Sequence, residues 1–264
     1  MSDTRDSYDP RYFEPLFAAE ERHFWFVARN KVISTLVRKA LVGRKDPVRM
    51  LEVGCGTGNV LRALEHEFPQ AVLLGMDLFS EGLHLAQKRV SCPLIQADLA
   101  FPPFARPFDL VGLFDVLEHI KEDRSVLNQL YKVVAPGGYL LITVPADPHL
   151  WSYFDIASHH ERRYTLTELT SKVESAGFEI DFSSPYIAAT YPLVWINRHS
   201  KGEAGSVNDA SVHRNAADEL RIVPVINDVL CGILSLEANW LAHGKHLPIG
   251  SSLVLLARRP VISL

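Results

Sequence analysis

Between Val48 and Val144, short apolar runs alternate with stretches whose apolar residues recur at helical spacing. That pattern predicts repeated strand–helix units around a parallel sheet. The apolar runs place strands at Val48–Val53, Ala71–Asp77, Pro93–Ala97, Phe108–Phe114 and Tyr139–Val144. Between the last two, Leu127, Leu130, Tyr131 and Val134 form one helical stripe, with Glu122 and Asp123 near the positive end of the helix dipole. Pro136-Gly137-Gly138 is expected to stop that helix and turn the chain into the fifth strand. Farther on, Thr165 and Glu168 have the spacing of a capping box, Leu166, Leu169 and Val173 share a face, and Gly177 ends the helix.

Phe178–Ile187 and Ser252–Arg258 read as a sixth and a seventh strand. About sixty residues separate them, against the ~4–6 of an ordinary connection. Within this insertion Lys201–Ser211 has linker composition, and Val223–Leu241 reads as an amphipathic helix, either packed on the sheet or lying as a lid over an apolar pocket. Ahead of the sheet, Glu20–Leu41 is helical in period. Its Phe24, Trp25 and Phe26 are consecutive and cannot all face one core, so some of them are expected to cover a ligand or pack on another element.

Composition narrows the class. The chain has 264 residues, 47% of them hydrophobic, enough for one large domain with a full core. A formal net charge of −4 gives no global basic field for a nucleic-acid backbone. Cys55, Cys92 and Cys231 are odd in number and widely spaced, which fits reduced thiols better than disulfides or a zinc site. The polar N-terminus lacks the apolar core of a secretory signal, and no uninterrupted apolar run approaches the ~20 residues of a membrane span, so a soluble cytoplasmic protein is expected.

The stretch Met50–Gly58, M-L-E-V-G-C-G-T-G, carries glycines on alternate positions directly after an apolar strand. Such a turn lets a ligand approach the backbone, and the following helix offers N–H donors at its start. A dinucleotide fingerprint, G-x-G-x-x-G, needs a third glycine where Asn59 stands. The pyrophosphate reading is weakened accordingly.

With Glu52 before the loop, the motif E-V-G-C-G-T-G resembles the first motif of the class I S-adenosylmethionine-dependent methyltransferases. Four further stretches match in order: L-L-G-M-D at Leu73–Asp77, Q-A-D-L at Gln96–Leu99, F-D-L-V-G-L-F-D-V-L-E-H-I at Phe108–Ile120, and V-V-A-P-G-G-Y-L-L-I-T-V-P at Val133–Pro145. The flanks resemble bacterial members with an N-terminal H-F-W-F…R and a later H-x-R-R-Y-T, here His160–Thr165. The resemblance implies a Rossmann-like α/β fold: a seven-stranded, mostly parallel sheet with helices on both faces and an antiparallel last strand. A helical N-terminal extension or lid would occupy residues 1–46. The methyltransferase domain would follow at 47–264, with a helical insertion at 188–249.

The same resemblance implies S-adenosyl-L-methionine as cofactor. Glu52, Gly54, Cys55, Gly56 and Gly58 would line its methionine end, with glycine N–H groups facing it. Asp77, with Leu78, would hold the ribose hydroxyls, and Asp98 with Leu99 the adenine. Phe114 and Asp115 lie at the fourth strand end, where ligands bind in this sheet type. Cys55 is expected to be a packing residue.

The sulfonium makes the methyl group electrophilic, so the enzyme's main task is to hold a nucleophile in line and exclude water. A base helps when the acceptor must lose a proton, and His119, His159 and His160 are the candidates because imidazole titrates near neutrality. His119 and His160 are the preferred pair. The plainer alternatives are a backbone bond for His119 and pairing with Glu161 or Asp155 for His160. Arg162 and Arg163 are surface charges or a clamp for an anionic group, Arg29 a solvated helix-face residue or a ligand of the cofactor carboxylate, and Trp25 and Trp151 core or pocket wall. The eleven histidines show no H-E-x-x-H or paired-cysteine spacing, so no metal site is expected.

The function implied is methyl transfer to a small or medium-sized organic acceptor, with oxygen favoured because histidine bases are available. The expected partner is a small-molecule substrate, without nucleic acid or a membrane span; oligomeric state is not legible. A non-catalytic cofactor-binding protein and a nicotinamide-dependent oxidoreductase stand as the rival readings.

Overall fold

The computed structural model describes residues 8–44, 47–200 and 220–261, so the linker-like segment 201–211 lies outside the described residues. The strands are β1 (Arg49–Val53), β2 (Val72–Asp77), β3 (Leu94–Gln96), β4 (Phe108–Phe114), β5 (Val134–Pro145), β6 (Glu179–Tyr186) and β7 (Ser252–Arg258). They form one sheet in the order β3-β2-β1-β4-β5-β7-β6. β1 to β5 run parallel, and β7 is antiparallel to both β5 and β6. This is the expected Rossmann-like sheet.

Successive residues of a strand point to opposite faces, and here both faces are covered. On β7, Leu253, Leu255 and Ala257 enter one core while Val254 and Leu256 enter the other. Helices α5 (Asp123–Val133) and α7 (Leu166–Ser175) cover the first face through Leu127, Leu130, Leu169 and Val173. The second face is covered by α2 (Phe24–Ala40), which buries Val32, Ile33, Leu36 and Val37. The remaining helices are α1 (Phe13–Ala19), α3 (Asn59–Glu67), α4 (Ser80–Ala86), α6 (Tyr153–Ala157), α8 (Tyr191–Ser200) and α9 (Pro224–Ala242).

α9 is the helix expected in the insertion, and it packs along α2 by burying Leu234, Ala238 and Leu241. The Asn227 side chain ties the two helices together: it accepts from the Phe24 amide at 2.8 Å and donates to the Arg22 carbonyl at 2.9 Å. An asparagine there satisfies a donor that the start of α2 would otherwise leave open. The opposite face of α9 exposes Val225, Val229, Leu236 and Trp240. By length and composition α9 could cross a bilayer, although its buried stripe is already engaged by α2.

Two local expectations need correction. Pro136-Gly137-Gly138 does not precede the fifth strand but lies inside it, because α5 ends at Val133 and β5 begins at Val134. The pairing with β4 shifts register between Phe108 and Leu110 to accommodate the insert. The Thr165 hydroxyl does cap α7, accepting from the Glu168 amide at 3.2 Å, but the Glu168 carboxylate pairs with Lys172 at 2.8 Å. The aromatic triplet is split, as expected: Phe24 and Trp25 are half-buried against the α2-side core, and Phe26 is buried beside Trp25 and His23, with ring centres 4.9 and 5.9 Å away.

Asp123 is more than a helix-dipole residue. Its buried carboxylate accepts from Tyr164 at 2.9 Å, Arg162 at 2.9 Å and Lys172 at 2.5 Å. Burial alone would raise this carboxyl, but hydrogen bonds from Lys172 and Tyr164, with the charges of Lys172 and Arg162, hold it below the usual range. A depressed carboxyl stabilises the fold above its unfolded pKa of about 3.9, and that stabilisation is lost as the pH falls toward the folded value. Asp123→Asn is therefore expected to cost about 1–3 kcal/mol at neutral pH, by removing the charge that Lys172, Arg162 and the Tyr164 hydroxyl share, while Lys172 keeps its pairing with Glu168. It should also flatten the loss of stability between about pH 5 and pH 3, as read by denaturant unfolding across that range.

Candidate active site

The C-terminal ends of β1, β2 and β4 converge on the glycine loop. Gly54, Gly56 and Gly58 all have positive φ. At Gly54 a Cβ would lie 2.3 Å from a methyl carbon of Val116, so close packing and the left-handed backbone both demand glycine. The N–H groups are used within the protein: Gly54 and Cys55 donate to the Met76 carbonyl at 2.7 and 3.0 Å, and Gly58 to the Cys55 carbonyl at 2.8 Å. Gly56 donates to Asp77 at 2.7 Å. The loop thus offers a bare, closely approachable backbone rather than a row of free glycine donors, which corrects the sequence expectation.

Asp77, at the end of β2, also accepts from the Phe79 amide at 2.8 Å; burial pushes its carboxyl up and these amides pull it down. The Leu78 carbonyl accepts from Gln96 at 2.9 Å, and Asp98 accepts from the Ala100 amide at 2.8 Å beside buried Leu99. The Cys55 thiol is buried with Leu61 and Leu83 and raised well above its usual range by burial, which suits a packing role. Phe114 is buried in the α2-side core rather than facing the site.

Asp115 follows β4 with φ 55° and accepts from Arg29 at 2.8 Å. Arg29 is 7% exposed and lies against both Trp25 and Phe26, with its guanidinium carbon 5.1 and 5.3 Å from their ring centres. It is not the solvated residue that its helix position suggested. Trp25 serves as its platform.

The N-terminal segment closes the crevice. Tyr8 lies 4.9 Å from Phe13, 6.1 Å from Phe79 and 5.7 Å from His119, measured between ring centres. α1 is anchored by Arg89, which bonds Glu20 at 2.6 Å and the Phe17 carbonyl at 2.7 Å, while the Thr57 hydroxyl donates to Glu20. Sequence reading did not single out Tyr8, Phe13, Glu20 or Arg89, because nothing local links Glu20 to a residue 69 positions away.

Opposite the glycine loop stand His119 and His160, their ring centres 4.7 Å apart and edge to face. His160 Nδ1 is 2.9 Å from Asp155, and its Nε2 is 4.0 Å from Glu118. Asp155 is fully buried and also accepts from Arg163 at 2.8 Å and from the Ser152 amide at 2.9 Å. Burial would raise Asp155, yet the hydrogen bond with His160 and the charge of Arg163 hold it below the usual range. Glu118 is 1% exposed and raised well above the usual range, by burial first and by Asp115 second. Arg162 and Arg163 belong to the Asp123 and Asp155 networks and form no anion clamp. His159 and Trp151 are exposed.

The buried groups fit the cofactor that the sequence implies. Glu52 Oε2 and Arg29 Nε are buried with no hydrogen-bond partner among the described residues. Burial raises Glu52 well above its usual range, and the Arg29 charge opposes that shift. An amino-acid tail carries one ammonium and one carboxylate, which match one acceptor and one donor left open near the glycine loop. Asp77 stands where hydroxyls of a ribose could be held.

Comparison with known proteins agrees. A family model described as a methyltransferase domain matches residues 22–181. Trans-aconitate 2-methyltransferase of Acidovorax sp. (strain JS42) is 33% identical over 108 residues, 40% of this chain and 42% of that protein. Malonyl-[acyl-carrier protein] O-methyltransferase of Priestia megaterium is 28% identical over 131 residues, 48% of each. The chain thus spans less than half the length of either curated relative. In fold, phosphoethanolamine N-methyltransferase 2 of Haemonchus contortus in complex with S-adenosyl-L-methionine superposes with a TM-score of 0.56 at 19% identity, covering 86% of this chain and 52% of that one.

The Gly54 geometry makes a direct prediction. Gly54→Ala should destabilise the protein by about 1–3 kcal/mol, through the strained φ and the displaced Val116, as read by denaturant unfolding. Gly56→Ala, whose Cβ would meet only Phe13 at 3.7 Å, should cost less stability.

Proposed function

The chain belongs to the class I S-adenosylmethionine-dependent methyltransferases, and we propose that it methylates an oxygen of a small or medium-sized organic acceptor by direct transfer. The observation that carries this reading is the pairing of two unlike walls: a glycine loop with Glu52, Asp77 and Arg29 on one side, and His119 with the Asp155-oriented His160 on the other. When bound, S-adenosylmethionine supplies a methyl group on a positively charged sulfur.

The chain's own residues do the rest. Asp77 binds hydroxyls, Arg29 and Glu52 bind the charged amino-acid tail, and Asp98 with Leu99 border the adenine. Tyr8, Phe13 and Phe79 exclude water from the mouth, which strengthens the electrostatics inside and keeps the acceptor in line. Asp155 fixes the His160 ring so that Nε2 faces inward, and His119 and His160 together favour the anionic form of an acceptor oxygen. The relatives named for trans-aconitate and for O-methylation of a malonyl thioester carrier support an organic acid or its hydroxyl analogue as acceptor. The three free thiols fit a reducing compartment, and we place the activity in the cytoplasm.

Two measurements test the assignment. Asp77→Ala should weaken S-adenosylhomocysteine binding by about 10-fold or more, the loss of a charged hydrogen-bonding partner, while His160→Ala leaves it nearly unchanged in calorimetry. An extract incubated with methyl-labelled cofactor and the protein should yield a labelled methyl ester or methyl ether of a small organic acceptor. Cofactor binding without any labelled product would overturn the catalytic reading.

A further inference from the structure

The wall opposite the glycine loop holds more than a pair of bases. Glu118 and His119 close the short turn Leu117–His119 after β4, and His160 lies in the loop between α6 and α7. The two segments are clamped together: the Glu161 amide donates to the Glu118 carbonyl at 2.8 Å, and the Tyr164 hydroxyl donates to the Leu117 carbonyl at 3.3 Å. One ligating atom each of Glu118, His119 and His160 lies within 4.8 Å of the others.

Charge and hydrogen bonding at this point are unbalanced. Arg29 is paired directly with Asp115 and Arg163 with Asp155, so neither forms an ion pair with Glu118. Glu118 Oε2 is buried and has no hydrogen-bond partner among the described residues. A buried carboxylate left in that state either takes up a proton or pairs with a cation, and two imidazoles beside it offer further ligands for one. His160 is also arranged as metal-ligating histidines are: its Nδ1 faces the Asp155 carboxylate, which leaves the Nε2 lone pair directed toward Glu118. Asp155 is itself fixed by Arg163 and the Ser152 amide.

We propose that Glu118, His119 and His160 form a divalent-cation site on the acceptor side of the crevice, which binds the acceptor oxygen and favours its deprotonation. This rests on reading the crevice as a methyl-transfer site. Two imidazoles and one carboxylate select zinc, cobalt, iron or manganese over magnesium and calcium, which prefer all-oxygen shells. Three protein ligands leave a coordination position for a hydroxyl or carboxylate oxygen of the acceptor. A hydroxyl held there loses its proton to solvent at a lower pH than it does in water, and the metal carries the resulting oxygen anion. With bonds of about 2.1 Å, tetrahedral ligand atoms sit about 3.4 Å apart, so binding draws the three side chains inward by about 1 Å. Spacing could not reveal the site, because 41 residues separate His119 from His160 and the turn between them is made by the fold.

The test uses the full chain stripped with chelator and titrated with Co²⁺, followed by visible absorption, and with Zn²⁺, followed by calorimetry. One equivalent should bind in the micromolar range or tighter, with ligand-field bands of a low-coordinate nitrogen–oxygen site. Glu118→Gln and His160→Asn should each weaken binding by about 100-fold, and Asp155→Asn by about 10–100-fold as an orienting residue. S-adenosylhomocysteine affinity, measured on the same samples, should stay within about twofold for Glu118→Gln and reports that the variant is folded. Zn²⁺ should raise the thermal midpoint of the wild type but not of Glu118→Gln. Absence of a saturable site, or equal binding by wild type and both ligand variants, overturns the cation site. If S-adenosylhomocysteine still binds and labelled product still forms, the methyltransferase reading stands without it.

Discussion

β1 and β4 lie side by side and parallel, but the chain leaves them in opposite directions: from β1 toward β2 and β3, from β4 toward β5 and β7. No connection crosses the gap between their C-terminal ends, so a crevice is built into the strand order itself. Everything proposed for this protein sits around that gap. The glycine loop leaves β1 on one side, and Asp115, Glu118 and His119 leave β4 on the other. The segments that complete the crevice, Tyr8 to Arg29 and Asp155 to Tyr164, come from outside the parallel units and are pinned to it by specific polar contacts.

The units that depend on short-range pattern were legible in the sequence. β4 and β7 match their predicted bounds to the residue, because a strand covered on both faces is a nearly continuous apolar run, broken in β4 only by Asp109. Gly177 and Thr165 likewise acted as local stop and start signals for α7. What was not legible depended on distant partners. Pro136-Gly137-Gly138 carries turn chemistry, yet it is held within β5, where Gly137 bonds the Arg259 carbonyl at 2.8 Å from the far end of the chain. Arg29 has the helical position of a solvated residue, but Asp115, 86 residues later, draws it inward.

The same limit applies to the candidate site. Glu52, Asp77, Asp98 and Asp115 were read as cofactor residues through the resemblance of their motifs, and the fold brings them to one end of the sheet: Glu52 and Asp77 lie at the ends of β1 and β2, and Asp98 and Asp115 follow β3 and β4. The opposite wall was legible only as separate histidines. That His160 is oriented by Asp155, that Glu118 is buried with one oxygen lacking a hydrogen-bond partner among the described residues, and that Arg162 and Arg163 are spent on other carboxylates all follow from how α6 and the loop after it fold back onto the turn after β4.

These buried charges set a trade between stability and function. Asp115 holds φ 55°, a conformation that costs a non-glycine residue about 1–3 kcal/mol, and it persists because its amide bonds Thr143 at 2.9 Å and its carboxylate bonds Arg29. The strain therefore makes α2 part of the site: without Arg29 the half-buried carboxylate would lose its ion pair, and the turn that carries Glu118 and His119 would lose its anchor. Arg29 in turn rests on Trp25 and Phe26, and the start of α2 is capped by Asn227 of α9. The insertion before the last strand thus acts on the chemistry without touching it, by fixing the helix that fixes Arg29.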